Sequence, residues 1–401
     1  MNSRVAIIFF GPISTREEKL NLSSFNNEIV QKFHNSGNLL KLYCQDFDGI
    51  GLEGVMVTQF SGTIYSKIAK LFSFLLSWIT GWTERMIYEK LFELMILRDI
   101  DYSEIDTLLL LRATSPNVCR KAKKYNVKVV GLISTFPRKL IRERIRSYER
   151  KWGIKEHSDY TQKRRVKEYD RILNSWNEII SLSGAESVRE TISSIVGFEQ
   201  VRYPDNEFGI NRKLFFPDWG IKNEEYVFVV TTDTTLKKGL LEVLEVWNEF
   251  VAEFDFNIRL KVIGKVSKPI KKLIDRRFKT ETIEWIGYVN NLQDYYKSCF
   301  AYICPSIIDM GPRTIKQAMG CGSLVIASKQ CGASSFITHQ KEGLVFDVEI
   351  KGELINCLRW VLNNRGKIDE IRKASFRTSQ LFDNNLFAGN IFQIVTDRAF
   401  E

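Results

Sequence analysis

The sequence predicts an α/β protein made of two doubly wound domains, each built on a parallel sheet. Apolar runs of strand length alternate with stretches of helical periodicity through the first half, and the alternation starts again in the second half. A loop-like segment rich in Gly and Pro, Gly209 to Asp218, lies between the two series. A chain of 401 residues is long enough for two such cores. We therefore expect a first domain over residues 1–205 and a second over residues 206–383.

The first series opens with an apolar run, Val5 to Phe10, that Gly11 and Pro12 end. Helical spacing from Phe25 to Phe33 and a second apolar run at 39–44 then complete a βαβ unit. The glycine-rich G-x-G-x-x-G loop of dinucleotide-binding folds is absent, because Gly11 stands alone. Further strands are predicted at 107–111, 127–133 and 179–183, with helices at 116–125 and 187–195.

The second series has strands predicted at 226–230, 259–263, 283–286, 301–304 and 324–327. The loop after its first strand ends in Lys238 and Gly239, where a helix is expected to start. A lysine at a helix start, beyond the carboxyl end of a strand, can reach a phosphate group. Such a pair on a surface loop also fits a lysine that simply faces solvent.

The stretch from Pro305 to Ser328 predicts a strand end, a Gly-Pro turn, a short helix starting at Pro312 and another buried strand. The free N–H groups of that helix would point beyond the sheet edge where open α/β sheets bind ligands. A helix start at this edge favours an anion, most often phosphate. The same stretch also fits an ordinary βαβ unit with no ligand.

Composition narrows the class of protein. Apolar residues make up 44% and charged residues 26% of the chain, as in soluble globular proteins. The seven cysteines are scattered without a C-x-x-C pair, and the three histidines are far apart, so neither a disulfide framework nor a metal site is predicted. The apolar run at the N-terminus is too short for a signal peptide. These features favour the reducing cytosol.

The most apolar helical stretch runs from Ile64 to Trp82, with Lys67 and Lys70 near its front. Its uninterrupted part is shorter than the ~20 residues needed to span a bilayer. The pattern favours a buried core helix over the alternative, an interfacial helix with aromatic and lysine anchors.

A strongly basic segment follows at 138–170, where twelve Lys and Arg residues stand against six acids within a chain of formal charge +10. Arg142, Arg146 and Arg150 share one face of the predicted helix, so a solvated helix is the simplest interpretation. An anionic membrane surface that is contacted through 64–82 and 138–170 is the alternative. Nucleic acid is not expected, because no binding motif or interleaving of aromatic residues accompanies the charge.

Together these pieces resemble GT-B glycosyltransferases, most closely the large retaining family 4. Gly209 to Pro217 is similar to the family's interdomain segment, and Lys238-Gly239 to its K-G phosphate site. Pro305 to Ser328 matches the donor motif P-S-x-x-E-G-x-x-x-x-x-x-E-A-M-A-x-G-x-P-V-I-A-S in length and frame. The first half is more distantly similar. The resemblance implies two Rossmann-like domains facing a cleft, with a last helix over residues 384–401 that crosses back onto the first domain.

The departures from the family pattern fall at positions that matter for chemistry. The two glutamates of the donor motif are replaced by Asp309 and Gln317, and the arginine that usually precedes the lysine is replaced by Thr232 and Asp233. Loss of one group that stabilises developing charge typically costs about 2.7–4 kcal/mol. Either Arg313 supplies the missing cation or turnover is impaired, and Arg313 also fits a solvent-exposed helix residue.

The resemblance implies a nucleotide-sugar glycosyltransferase that retains anomeric configuration, needs no metal and has no cofactor beyond its nucleotide-diphosphate sugar donor. The acceptor would be a glycan or a lipid-linked glycan, in cell-surface polysaccharide or glycoconjugate synthesis. The expected location is cytoplasmic, with peripheral attachment to the inner face of the plasma membrane as an option. Asp309 would bind the donor sugar, Lys238 the diphosphate and Gln317 the ribose, and Asp309 and Lys238 would be the catalytic residues. The implied donor-binding residues are Lys238, Asp309, Met310, Gly311, Pro312, Arg313, Thr314 and Gln317, and the acceptor-side residues are Gly11, Pro12, Ser134, Thr135 and Phe136.

The departures keep a second function open. A non-catalytic, glycosyltransferase-like binding or assembly protein would keep the cleft and lose the chemistry. Release of nucleoside diphosphate from a nucleotide sugar separates the two functions.

Overall fold

A computed structural model describes residues 3–14, 24–48, 52–80, 82–195, 201–220, 226–255 and 257–397. The first domain is built on a parallel sheet with the strand order β3-β2-β1-β4-β5-β6-β7. Its strands are β1 (Val5–Ser14), β2 (Leu39–Asp48), β3 (Met56–Gln59), β4 (Thr107–Leu110), β5 (Lys128–Ile133), β6 (Glu178–Ser181) and β7 (Val201–Arg202). Its helices are α1 (Ser24–Asn35), α2 (Ile64–Thr80), α3 (Glu84–Asp99), α4 (Pro116–Lys124), α5 (Arg138–Trp152), α6 (Lys163–Leu173) and α7 (Glu186–Ser193).

The second domain repeats this construction with the parallel strand order β10-β9-β8-β11-β12-β13. Its strands are β8 (Val227–Thr232), β9 (Arg259–Gly264), β10 (Ile283–Gly287), β11 (Ala301–Cys304), β12 (Val325–Ser328) and β13 (Leu344–Phe346). The remaining helices are α8 (Leu240–Ala252), α9 (Lys268–Arg277), α10 (Leu292–Ser298), α11 (Arg313–Gly320), α12 (Glu353–Asn363), α13 (Ile368–Ser379) and α14 (Asn384–Thr396). The predicted pair of doubly wound parallel sheets is confirmed.

The central strands of both sheets are buried on both faces, which is why they read as continuous apolar runs in the sequence. The short strands β3 and β13 lie at sheet edges, and the sequence did not predict them as strands. The last helix, α14, packs on α1 of the first domain. Phe392 meets Phe33 edge to face, and Phe387 meets Phe25 in the same way.

The helix α2 differs from the core helix that its composition favours. Ile64, Ile68, Leu71, Phe72 and Leu75 form an exposed stripe with helical spacing, and Leu71 keeps 74% of its surface exposed. On the opposite side, α2 packs against α3. The side chains of residues 74 and 76–80 and all of residue 81 lie outside the described residues. No helix in the described part of the chain is long and apolar enough to cross a bilayer.

The basic segment 138–170 also differs from a uniformly solvated surface. Lys151 lies 2.6 Å from Glu245 and 3.4 Å from Glu242, both on α8 of the second domain. Arg144 pairs with Glu349, also in the second half of the chain. On the inner side of the segment, Arg138 and Arg165 are buried. Some of the basic residues of segment 138–170 are therefore buried or pair with acids across the domain interface. Only the outer side of this segment faces solvent.

The interface between the domains contains a buried carboxyl group. Glu242 is 5% exposed and accepts a hydrogen bond of 2.8 Å from the indole N–H of Trp152. Burial raises the pKa of Glu242 to about 7, although the Lys151 ammonium and the Trp152 N–H oppose the shift. The folded protein therefore holds this proton more tightly than the unfolded chain does.

Because the folded pKa of Glu242 is raised, its stabilising contribution is complete at low pH and is lost as pH rises through about 7. We expect the thermal unfolding midpoint to fall between about pH 5 and pH 8, and Glu242→Gln to flatten that fall, measured by circular dichroism. Glu245→Gln is the control, since Glu245 is an exposed partner of the same Lys151. An unchanged slope in Glu242→Gln would contradict this explanation.

Candidate donor site

The candidate site lies where the chain switches direction across the second sheet. From β8 the chain adds β9 and β10 on one side, and then returns to place β11 on the other side of β8. In open α/β sheets the crevice at such a switch point, beyond the carboxyl ends of the strands, is where ligands bind. The loops that follow β8 and β11 carry Lys238 and Asp309.

These two loops touch each other. Gly239 has φ +67°, and a Cβ atom there would lie 1.9 Å from the carbonyl oxygen of Pro305. The N–H of Ile307 also donates to the carbonyl of Lys237 over 2.9 Å. Any larger residue at position 239 would therefore push the two loops apart. Because position 239 is glycine, the loops can touch, and Lys237 and Lys238 lie next to Asp309.

At the centre of the site, one carboxylate lies between two lysines. The Asp309 Oδ2 atom is 2.9 Å from the Nζ of Lys238 and 3.4 Å from the Nζ of Lys237. Burial works against the charge of Asp309, but the two ammonium groups hold the pKa of its carboxyl well below its usual range. Burial likewise opposes the charge of Lys238, yet Asp309 and Asp233 hold the Lys238 pKa above its usual value. We call Lys237, Lys238 and Asp309 the ion triad.

The backbone around Asp309 is held on its other side by the chain after β12. The Asp309 N–H donates to the Gln330 carbonyl at 3.0 Å, and the Asp309 carbonyl accepts from the Gly332 N–H at 2.8 Å. A Cβ atom at Gly332 would lie 1.9 Å from the Met310 carbonyl oxygen, so this close contact requires glycine. The carboxylate is thus presented from a fixed main chain.

The helix α11 begins directly after this loop, with Pro312 at its N-cap rather than at its first helical position. Gln317 is buried on α11, and Thr314 lies beside the hydroxyl of Tyr302. Gly311 lies against Phe208 and Ser183. The free N–H groups at the start of α11 therefore lie where the donor domain meets the first domain.

The side chains of α11 tie the donor domain to the interdomain segment. Lys316 is fully buried, and its Nζ lies 2.7 Å from Glu207 and 3.0 Å from the Phe208 carbonyl. Burial lowers the pKa of Lys316 to about 8, although Glu207 opposes the shift. Arg313 places its guanidinium 5.4 Å from the ring centroid of Phe25 on α1, and burial lowers the pKa of Arg313 to about 10.

The predicted acceptor-side residues lie at the carboxyl ends of strands in the first sheet. Pro12 is exposed near the end of β1, and Gly11 is packed under the ring of Phe9. Ser134 is exposed after β5, and Phe136 is buried. Thr135 follows Ser134 in the same connection and is half-buried.

The first domain adds contacts to the donor loop that the sequence did not single out. The Glu156 carboxylate accepts a hydrogen bond of 2.6 Å from the N–H of Leu236, one residue before Lys237. The Tyr160 ring centroid lies 5.0 Å from the Nζ of Lys237, and this charge, followed by that of Arg138, lowers the pKa of the Tyr160 hydroxyl. Lys237 is adjacent in sequence to the predicted Lys238. No sequence motif marks Glu156 or Tyr160 as a site residue.

Residues 211–378, which contain the ion triad and α11, match the family model described as glycosyl transferases group 1. Over these residues the chain is similar to group 1 glycosyltransferases. The match begins inside the interdomain segment and includes every predicted donor-binding residue.

Curated proteins are similar to part of the chain. The capsular polysaccharide biosynthesis glycosyltransferase CapH of Staphylococcus aureus is 25% identical over 177 residues, which cover 43% of this chain and 48% of CapH. The chain spans between 33% and 48% of the length of the curated relatives that it matches.

Solved structures show the fold over the whole chain. Anabaena HepE in complex with UDP and glucose superposes with a TM-score of 0.63 at 15% identity, covering 99% of this chain and 100% of that one. Sucrose-phosphate synthase from Thermosynechococcus elongatus gives a TM-score of 0.66 at 14% identity over 98% of each chain. The two facing sheets are therefore the GT-B fold.

The ion triad leads to a prediction about stability. Replacing Asp309 with a neutral residue would leave the two largely buried ammonium groups without their carboxylate partner. An unpaired buried charge lowers the free energy of unfolding. In a double-mutant cycle of Asp309→Asn and Lys238→Met, we expect a coupling of about 0.5–3 kcal/mol in the free energy of unfolding.

The same cycle with Lys237→Met should give a smaller coupling, because that pair is longer. Denaturant titration followed by tryptophan fluorescence measures both cycles. Additive effects of Asp309→Asn and Lys238→Met would show that this pair is not coupled.

Proposed function

We propose that this protein transfers a sugar from a nucleotide-diphosphate sugar to a glycan or lipid-linked acceptor, in cell-surface polysaccharide or glycoconjugate synthesis. The observation that carries this proposal is the ion triad at the switch point of a domain similar to group 1 glycosyltransferases, next to the start of α11. A diphosphate needs cations and N–H donors that are already in place, and this corner of the domain provides both.

In the proposed complex, Lys238 and the N–H groups from Gly311 to Thr314 hold the diphosphate. Asp309 accepts hydrogen bonds from hydroxyls of the donor sugar, and Gln317 binds the ribose. The transfer retains anomeric configuration and uses no metal ion, since lysine side chains and the helix start neutralise the departing diphosphate. Preorganised charges of this kind often supply the largest part of a rate enhancement.

Lys237 offers a substitute for the arginine that Thr232 and Asp233 replace. The ion triad carries two positive charges and one negative charge, and the carboxylate of Asp233 also acts on Lys238. Arg313 is a weaker candidate for this role, because its guanidinium lies over Phe25 of the first domain. We therefore expect both lysines of the ion triad to contribute to donor binding.

The nucleotide to test first is UDP. The HepE structure contains UDP and glucose, and its fold covers nearly the whole of this chain. The second proposed function, a binding or assembly protein without turnover, is favoured by the same departures at Thr232, Asp233 and Gln317.

Release of nucleoside diphosphate decides between the two functions. We expect the wild-type protein, with a membrane extract as acceptor, to release UDP from at least one of UDP-glucose, UDP-galactose and UDP-N-acetylglucosamine. Lys238→Ala should reduce release by about 100-fold or more, as expected for the loss of one such stabilising group. Lys272→Ala, an exposed lysine on α9, is the matched control.

Release at wild-type level from Lys238→Ala would refute the site assignment. If no donor is turned over while UDP still raises the unfolding midpoint, the binding function is supported instead.

We further propose that the protein is cytoplasmic and attaches to the inner face of the plasma membrane through α2. The exposed apolar stripe of α2 is flanked by the exposed Lys67 and Lys70. A basic groove between α5 and α6, lined in part by Arg142, Arg146 and Lys163, would also attract anionic lipid. A lipid-linked acceptor would then be reached from the membrane surface.

Vesicle sedimentation tests this attachment. We expect the wild-type protein to bind vesicles of phosphatidylglycerol and phosphatidylcholine more strongly than pure phosphatidylcholine, and Leu71→Gln with Leu75→Gln to reduce binding about tenfold or more, because the buried apolar area is lost. Leu381→Gln is the matched control, since Leu381 is 70% exposed in the second half of the chain. Equal binding by the α2 variant and the control would rule out attachment through α2.

A further inference from the structure

A group of arginines lies at the carboxyl edge of the first sheet, opposite the ion triad. Arg112 lies two residues after the end of β4, and Arg138 begins α5 after β5. Arg85, near the start of α3, and Arg165, near the start of α6, complete the group. Arg112 and Arg138 are close enough to each other, and to Arg85, for their charges to repel.

Carboxylates compensate only half of this group. Arg165 lies 2.6 Å from Glu89 and 3.6 Å from Glu168. Arg85 lies 2.9 Å from the same Glu89 and 3.9 Å from Asp159. Within the described residues, neither Arg112 nor Arg138 forms a direct ion pair, although the charge of Glu89 acts on Arg112 from a greater distance.

Arg138 is 7% exposed, and its Nε and Nη1 atoms are buried without a hydrogen-bond partner. Its guanidinium lies 4.4 Å from the ring centroid of Tyr160 and 5.5 Å from that of Tyr169. Aromatic faces stabilise the charge but do not take the place of a hydrogen-bond acceptor. Buried donors without acceptors are costly, and a native structure keeps few of them.

Arg112 is half-buried, and its guanidinium lies 5.7 Å from the ring centroid of Phe9. Its one hydrogen bond within the described residues goes from Nη1 to the Phe10 carbonyl, at 3.0 Å. Burial lowers the pKa of Arg112 to about 10, and Arg85 adds to the shift. That bond ties Arg112 to the residue before Gly11, on the predicted acceptor side of the cleft.

Tyr160 connects this arginine pair to the donor site. The same ring that covers Arg138 lies 5.0 Å from the Nζ of Lys237. Tyr160 belongs to the connection between α5 and α6 and is only partly buried, so a side-chain movement there would open Arg138 toward the cleft. An anion held by the two arginines would therefore sit beside the donor sugar, on the acceptor side.

We propose that Arg112 and Arg138 bind a phosphate group of the acceptor, either a phosphate ester or a diphosphate. Two guanidinium groups match the charge of a phosphate dianion, and their forked N–H groups match its oxygens. Only the identification of the ligand as the acceptor depends on the proposed glycosyl transfer. The anion site itself can be tested without turnover.

The test is titration of the full-length protein with inorganic phosphate and with glycerol 3-phosphate by isothermal calorimetry. We expect Arg138→Gln and Arg112→Gln each to weaken binding about tenfold or more, and Arg138→Lys to keep part of it. Lys124→Gln, an exposed lysine at the opposite edge of the first sheet, is the charge-matched control.

Several results would overturn the proposal. Wild-type binding by both Arg138→Gln and Arg112→Gln would show that phosphate binds elsewhere, and loss of binding in Lys238→Ala would place it in the donor site. Glucuronate binding that is as tight as that of phosphate would make the ligand a carboxylate. If Arg138→Gln does not fold by circular dichroism, then Arg138→Lys and Arg112→Gln decide the outcome.

The results also separate this proposal from the transfer reaction. Release of UDP with no arginine-dependent phosphate binding counts against the anion site alone. Arginine-dependent phosphate binding with no release from any nucleotide sugar counts against the proposed transfer.

Discussion

The ion triad is the interaction around which the donor domain is organised. It joins the loop after β8 to the loop after β11, and these are the strands between which the chain reverses direction. Glycine at position 239 allows the two loops to touch. The Gly332 N–H donates to the Asp309 carbonyl and fixes the main chain of Asp309. The result is a carboxylate and two ammonium groups that remain charged although water is largely excluded. Such a cluster costs free energy to desolvate, which is compensated only if its charges meet each other or a ligand.

A second buried ion pair sets how the donor domain meets the first domain. Lys316 on α11 reaches Glu207 and the carbonyl of Phe208 in the interdomain segment. Glu207 also accepts hydrogen bonds from Ser183 and Gly184, which follow β6 of the first sheet. One carboxylate thus links the helix that would hold the diphosphate to the acceptor domain. The return of α14 onto α1 closes the same connection from the other side.

Much of the fold could be predicted because each central strand is buried on both faces and leaves a continuous apolar run. The edge strands β3 and β13 leave weaker patterns and were not predicted. Composition also could not show which side of α2 packs, so a helix rich in Leu and Phe was expected in the core while its apolar stripe is exposed. The sequence also could not show what the charges of the basic segment 138–170 contact. The acids that pair with Lys151 and Arg144 lie far away in the sequence.

The site shows the same division. Lys238, Asp309 and the residues from Met310 to Thr314 follow a motif with a fixed frame, so their neighbourhood could be predicted from the sequence. Tyr160 and Glu156 contact the donor loop from another domain, and no local pattern marks them. Lys237 was not predicted as a site residue, and the side chains of adjacent loop residues usually point in different directions. The tight turn at Leu236–Lys238 nevertheless places both lysine side chains next to the Asp309 carboxylate.

The most direct test of this account is a crystal structure of the protein with UDP. We expect the diphosphate within hydrogen-bond distance of Lys238 and of the N–H groups at the start of α11, with the ribose near Gln317 and Asp309 turned toward the space for the sugar. A diphosphate bound elsewhere, with the ion triad unchanged, would contradict it.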